Sequence, residues 1–339
     1  KALMGTAVEM GVREAQQSSS LFNSIPEDRT PCFQTQELRL GHVLGRGSFC
    51  AVRELNGIKL NEVSVFQYPP SVADDKTSFS EDDCILSRED LAQLVKKSQK
   101  SKKSKRPAGR YVVKQVLDEI KGNPNDGRNL LKGIVDLLME SKFLASLNHP
   151  NIMKLRGMSI PLSVSNDDAV FIVLDCLKET FASRLKSWMH KERQTKGLTG
   201  FFTGGKQKVE QLREDRLQAA YDIADAMGYL HSKNVVYRDL KPDNIGFDHE
   251  GNLKLFDFGL AKELPREQKD GDGLYYLTGY TGAPRYMAPE VGLGKRYNLK
   301  ADVYSWSILM WYILASEPPF AYYTQDMFED RVFRRGSRP

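Results

Sequence analysis

Residues 237–244 read YRDLKPDN, which gathers an acid, two cations and a carboxamide around one proline. Turn punctuation accounts for Pro242 and Asp243. It does not account for Asp239, Lys241 and Asn244 between the apolar runs VV and IGF, although a solvated loop is the alternative. Upstream, LGRGSFCAV at 44–52 places Gly45 and Gly47 between two strand-like runs. Missing Cβ atoms there let backbone N–H groups approach a polyphosphate. Hairpin glycines also have a purely structural reading, and no helix follows them as a dinucleotide fingerprint requires. The pattern GxxxxGK[ST] does not occur, which excludes a P-loop. Lys114 lies inside the apolar run YVVK, and Glu140 lies in a long helical pattern on the side of Leu137 and Leu144. Either charge is costly to bury alone, whereas a pair satisfies both. Further on, KLFDFGLAK puts Asp257 at the end of a strand-like run, just before a Phe-Gly bend.

The elements that must position these groups fit a chain of 339 residues, long enough for two packed units. Its 40% hydrophobic and 27% charged content is that of an ordinary soluble globular protein. The formal charge of +5 is mild and largely local, so it gives no reason to expect nucleic acid as a partner. Cys32, Cys50, Cys84 and Cys176 are far apart and form no metal-ligand pairs, which points to reduced thiols and an intracellular, cytoplasmic setting. WSILMWYILA at 306–315 is about half the length of a membrane span and reads as a buried helix.

Residues 1–37 read as a polar leader, expected to be disordered. Two strands flank the glycine pair from Leu38, and the next begins at Arg110. Between them, about 53–110, PPSVADD, SFSEDD and KKSQKSKKSKR form an insertion whose composition buries no apolar face. The basic run at 96–106 reads as a solvated loop, a nuclear address or a patch for anionic partners. LLKGIVDLLMESKFLASL is an amphipathic helix ended by NHPN, and strands follow at 152–160 and 169–174. After a second insertion, KERQTKGLTGFFTGGKQKVEQ, a helix spans 212–231 with Leu217, Ala220, Ala224, Met227 and His231 on one stripe. Strands first and helices later imply two lobes.

Taken in order, with YMAPE at 286–290 and ADVYSW at 301–306, these motifs resemble the eukaryotic protein kinase catalytic domain from Leu38 to about Phe320. The resemblance implies an α+β, bilobal protein kinase fold. A small antiparallel β lobe with one αC-type helix would occupy 38–174, and a larger, mainly helical lobe 175–339. It further implies that Asp239 accepts the proton of an incoming hydroxyl and that Asn244 and Asp257 hold Mg²⁺. Lys114, held by Glu140, would bind the α- and β-phosphates of ATP, Lys241 would reach the γ-phosphate, and Arg238 would grip a phosphorylated activation segment. ATP would lie against Leu44, Gly45, Arg46, Gly47, Ser48, Phe49, Cys50, Ala51 and Val52, with Val112 above the ring. Leu174 would be the gatekeeper, with Asp175 and Leu177 in the linker at the adenine edge; Asp302 would cap the catalytic-loop backbone.

DLKPDN resembles the serine/threonine branch, and GYTGAPRYMAPEV with DVYSWSILMW resembles its tyrosine-kinase-like group. The expected function is therefore protein serine/threonine kinase activity on protein substrates. The alternatives are a pseudokinase or ATP-binding scaffold without turnover, and an anion-binding adaptor acting through 96–106. The sequence departs from the family at several positions. Cys50 replaces the third glycine and Tyr237 the usual histidine. Val112 and Gly246 replace a smaller and a larger residue around the adenine and are expected to compensate in volume. Ala283 replaces a threonine that bonds the catalytic lysine and aspartate, a role Thr281 or Thr278 could take over. Both threonines, with Tyr275, Tyr276 and Tyr280, are candidate phosphorylation sites, and an upstream activating kinase is expected to act on Thr278 or Thr281. RVFRRGSRP resembles the helix G region, so the last helices of the larger lobe are expected to be missing from this chain.

Overall fold

Period-two alternation in Tyr111–Val116 sends Tyr111 and Val113 to one face of a sheet and Val112 and Lys114 to the other. The computed structural model, which describes residues 30–61, 86–100, 110–121, 127–159, 170–196 and 205–339, builds its first unit on that alternation. This unit comprises described residues up to Ser146 together with Lys154–Cys176, and the second comprises Leu147–Met153 and Leu177–Pro339.

In the first unit, strands β1 (Cys32–Phe33), β2 (Leu38–Arg46), β3 (Cys50–Ile58), β4 (Tyr111–Val116), β5 (Leu155–Ser159) and β6 (Phe171–Asp175) form one sheet in the order β1-β5-β6-β4-β3-β2. Every pairing is antiparallel except β1 with β5, which is parallel and sets Cys32 against Met158. The sheet is thus not purely antiparallel, and packing begins before Leu38. Phe33 is fully buried in the core, and Glu37 is buried beside it, so the leader reading fails for residues 30–37.

The insertion also differs from expectation. Helix α1 (Arg88–Lys100) seats Leu91 and Val95 in the core with Phe33, Leu55, Tyr111, Val113, Phe171 and Val173. Averaged over the whole insertion the composition is polar, but two apolar residues four apart suffice to seat one helical face. The helix start is pinned by Arg88, which donates to Glu37 at 2.5 Å; the same carboxylate accepts from the Gln34 and Asn61 N–H groups at 2.8 and 3.0 Å. Leu91→Ala should therefore destabilise the first unit by about 2–5 kcal/mol, read from denaturant unfolding. A change under about 0.5 kcal/mol would mean that the helix is dispensable to the core. Of the basic run, 96–100 belongs to α1 and 101–106 lies outside the described residues.

On the opposite face of the sheet, after the short α2 (Asp118–Lys121), helix α3 (Gly127–Ser146) packs on β4, β5 and β6 and brings Glu140 inward beside Leu137 and Leu144.

In the second unit, α4 (Phe181–Lys196), α5 (Gly205–Ser232) and α7 (Lys300–Ala315) carry small sheets. One has the order β10 (Leu253–Leu255), β9 (Ile245–Phe247), β7 (Glu179–Thr180), and the other pairs β8 (Val235–Val236) with β11 (Lys262–Glu263). A four-residue α6 (Pro289–Gly292) precedes α7, and α8 (Gln325–Met327) runs into a π-helical turn, Phe328–Arg334. The supposed second insertion largely extends α4 and α5; residues 197–204 of it lie outside the described residues. The buried face of α5 is Leu212, Arg216, Ala219, Ala220, Ile223, Ala226, Met227 and Leu230, whereas Leu217 and Ala224 of the expected stripe are exposed. A charged residue on the inner face obscures the pattern: Arg216 is buried because its guanidinium donates to Glu192 at 2.8 Å. Among the described residues no helix is long and apolar enough to cross a membrane.

Candidate active site

The candidate residues fall into two groups, one in each unit. In the first, the β2–β3 hairpin pairs Gly45 with Val52 and Arg46 with Ala51, and the Gly47 N–H donates to the Cys50 carbonyl at 2.8 Å. Neither Gly45 nor Gly47 has a left-handed φ, and a Cβ on Gly45 would meet nothing within 4 Å. The chain's own packing therefore does not demand glycine at either position. Phe49 lies under the Lys132 ammonium, 4.9 Å from its ring centre, and Arg46 is ion-paired with Glu119 at 2.8 Å. Leu44 is half exposed, while Cys50 and Ala51 are buried. Ser48 is exposed and Val52 partly buried.

Lys114 donates to Glu140 at 2.5 Å, with the lysine 16% and the glutamate 1% exposed. A partly buried cation on a strand and a buried carboxylate on a helix are tolerable in this form because each meets its counter-ion. Val112 faces Leu174 across the strands, and both are buried. The Asp175 carboxylate accepts both arms of Arg156 at 2.8 and 2.9 Å, so its side chain is committed within the unit.

In the second unit, YRDLKPDN runs from β8 through a 3₁₀ turn at Pro242–Asn244 into β9. Asp239 is buried. Its Oδ2 accepts from Lys241 Nζ at 2.6 Å and from Asn244 Nδ2 at 2.8 Å, and its Oδ1 from the Ala283 N–H at 3.1 Å. Burial pushes the carboxyl above its ordinary pKa; Lys241 and Asn244 oppose this, and Asp257 adds to it. Asn244 Nδ2 also donates to the Asp239 carbonyl at 3.0 Å, which spends its donors inward and leaves its amide oxygen as an acceptor. The Asn244 carbonyl accepts the Phe256 N–H at 3.1 Å and so draws Asp257, at φ +64°, to the same loop.

Tyr237 joins the two strands of this site. Its ring meets Phe258 edge-on at 5.1 Å and its hydroxyl donates to the Phe256 carbonyl. Sequence reading registered Tyr237 only as a departure; its signal was a phenol between apolar residues, which needs a partner when buried. Asp302 accepts the Tyr237 and Arg238 N–H groups at 2.8 and 2.9 Å and lies 3.0 Å from His231 Nε2. Arg238, at φ +68°, donates to the Leu260 carbonyl at 2.6 Å and to Thr278 Oγ1 at 3.0 Å. Thr281 Oγ1 donates to the Thr278 carbonyl at 3.0 Å. Neither threonine hydroxyl reaches Asp239, so the expectation that one of them stands in for the missing hydroxyl at Ala283 is overturned.

The volume expectation at Gly246 changes as well. A Cβ there would fall 2.6 Å from Leu177 Cδ1 and 3.0 Å from the Glu179 carbonyl oxygen. The space left by the missing side chain is filled by Leu177 from the same unit. Gly246→Leu should cost about 1–3 kcal/mol through overpacking. Adding Leu177→Ala should recover most of it in thermal unfolding, and purely additive losses would show that the two do not share the space.

Among the described residues no three His, Cys, Asp or Glu side chains converge as a metal cage. Asn244 and Asp257 carry oxygen donors on one loop pair, a hard set whose chemistry would suit Mg²⁺.

The chain matches the protein kinase domain family over residues 102–335, a span that includes Lys114, Glu140, Asp239, Asn244 and Asp257 and begins after the glycine hairpin. It is 38% identical over 144 residues to a cGMP-dependent protein kinase of Eimeria tenella, covering 40% of this chain and 13% of that protein. The same figures hold for a cGMP-dependent protein kinase of Toxoplasma gondii: 38% over 144 residues, 40% and 13%. Identity to cAMP-dependent protein kinase type 3 of Saccharomyces cerevisiae is 33% over 183 residues, covering 53% of this chain and 37% of the relative. The chain thus spans well under half the length of these relatives. By name they are cyclic-nucleotide-dependent kinases, and they lend no support to placement in the tyrosine-kinase-like group. With an antiparallel-rich sheet and its Lys114–Glu140 pair in one unit, a helical second unit carrying Asp239, Asn244 and Asp257, and a family match over more than half its length, the chain belongs to the protein kinase domain family.

Proposed function

We propose that this chain is a protein serine/threonine kinase that transfers the γ-phosphate of ATP to Ser or Thr hydroxyls of protein substrates. The observation that carries this reading is Asp239, a buried carboxylate held at both oxygens by Lys241, Asn244 and a backbone N–H. A base held this way keeps one orientation toward an incoming hydroxyl. In the transfer, the bond from the γ-phosphorus to the bridging oxygen breaks to release ADP, the acceptor oxygen bonds to phosphorus, and its proton passes to Asp239. Lys241 lies beside that carboxylate to meet the transferred group, and Lys114, fixed by Glu140, takes the α- and β-phosphate oxygens. Asn244 and Asp257 would hold Mg²⁺, which would supply neutralisation of phosphate charge. The open face at Gly45 and Gly47 gives the triphosphate close approach to backbone. In this reading the first unit serves as the small lobe and the second as the large lobe.

The reading is tested by label transfer from ATP to a mixed Ser/Thr/Tyr peptide pool with excess Mg²⁺, followed by phosphoamino-acid analysis. Nucleotide binding without transfer would favour the scaffold reading, and label on tyrosine alone would overturn the residue class. Finer placement in the tyrosine-kinase-like group rests on GYTGAPRYMAPEV and DVYSWSILMW alone.

An upstream kinase acting on Thr278 or Thr281 fits the contact between Arg238 and Thr278 Oγ1, because a phosphate there would meet a guanidinium already in place. Combined Thr278→Ala and Thr281→Ala should lower the activity of phosphorylated protein by about tenfold or more. Retention of full activity would remove phosphorylation at these positions as the activating step.

A further inference from the structure

The activation segment reaches the proposed base through its backbone. We infer that Gly282 and Ala283 are positioning residues for Asp239, their main chain doing what a side-chain hydroxyl would otherwise do. The inference rests on the kinase reading above. Lys241 and Asn244 both converge on Oδ2, at 2.6 and 2.8 Å, while the Ala283 N–H donates to Oδ1 at 3.1 Å. With donors on one oxygen only, the carboxylate could pivot about its Cβ–Cγ bond; a donor on each oxygen fixes its plane. Ala283 has no side-chain donor, and the hydroxyls of Thr278 and Thr281 are engaged elsewhere.

Gly282 is what admits this approach. Its φ is +94°, and a Cβ there would overlap the Arg238 carbonyl oxygen and lie 3.3 Å from Asp239 Oδ1. Any L side chain at 282 therefore lifts the segment from the catalytic loop. On the far side the Tyr286 N–H donates to the Ala283 carbonyl at 2.9 Å, so the residue that carries the donor is also held through its next peptide. It follows that the orientation of the base depends on the segment being seated, without a hydroxyl relay.

The decisive change deletes only the donor: an ester in place of the 282–283 amide, installed by joining a synthetic C-terminal segment to the recombinant remainder of the chain. We expect kcat to fall by about tenfold to a hundredfold, as for loss of a hydrogen bond to a charged group, with KM for ATP and peptide unchanged. Restoring a donor with Ala283→Thr in the ester background should recover most of the rate. Gly282→Ala should reproduce the kcat loss, while the thermal shift induced by nucleotide is retained. An ester protein with native kcat overturns the inference, as does equal loss in kcat and nucleotide affinity. If Asp239→Asn abolishes transfer and the ester does not, the positioning role falls alone; if Asp239→Asn is harmless, the base assignment falls with it.

Discussion

Asp239→Asn should lower kcat for peptide phosphorylation by about a hundredfold or more, the range for a removed general base. Asparagine matches the shape of the side chain, so KM for ATP should change little. Its amide, however, cannot accept at both ends. Lys241 and Asn244 approach Oδ2 and the Ala283 N–H approaches Oδ1, so the NH₂ of an asparagine must confront a donor on one side. That mismatch adds a local cost of about 1–3 kcal/mol to the chemical loss. Steady-state kinetics beside thermal unfolding separate the two: the base role predicts a rate loss far larger than the fraction unfolded. Equal turnover of native and variant protein would remove Asp239 from the chemistry.

Asp302→Ala should destabilise the second unit by about 3–5 kcal/mol, the range for breaking a buried polar network by removing one member. Asp302 is 1% exposed and accepts the Tyr237 and Arg238 N–H groups, with His231 Nε2 at 3.0 Å. Removing it leaves two backbone donors at the catalytic loop without their acceptor, one of them on a residue at φ +68°. The bland alternative, an acid near the start of α7 favoured by the helix dipole, predicts only about 0.3–1 kcal/mol. Denaturant unfolding distinguishes the two by magnitude, and a loss below 1 kcal/mol would reduce Asp302 to a helix-terminal charge. Asp302→Asn, which keeps one acceptor oxygen, should fall between.

The strands around the glycine hairpin, the helix with Glu140 and the loop at 237–244 were all legible, because each is written in local periodicity or contiguous motif. The Lys114–Glu140 pair was legible for an electrostatic reason: each charge sat at a position whose neighbours face the core. The α5 stripe was misread because a charge occupies its inner face, and the insertion was misread because its two anchoring residues were averaged into a polar background. The role of Ala283 was hidden for a different cause. Its contribution comes from a backbone N–H, which every residue but proline carries and which no side-chain pattern reports.

Residue order alone was enough to place Lys114, Glu140, Asp239, Asn244 and Asp257 on their local elements, since alternation, helical period and turn residues act over a few positions. Long-range packing was needed to show that α1 closes the sheet through Phe33 and Glu37, that Leu177 fills the space at Gly246, and that the Gly282–Ala283 peptide reaches Asp239. These contacts join residues far apart in the chain. Their energies depend on shape, burial and the direction of single hydrogen bonds, quantities that exist only once the chain has folded.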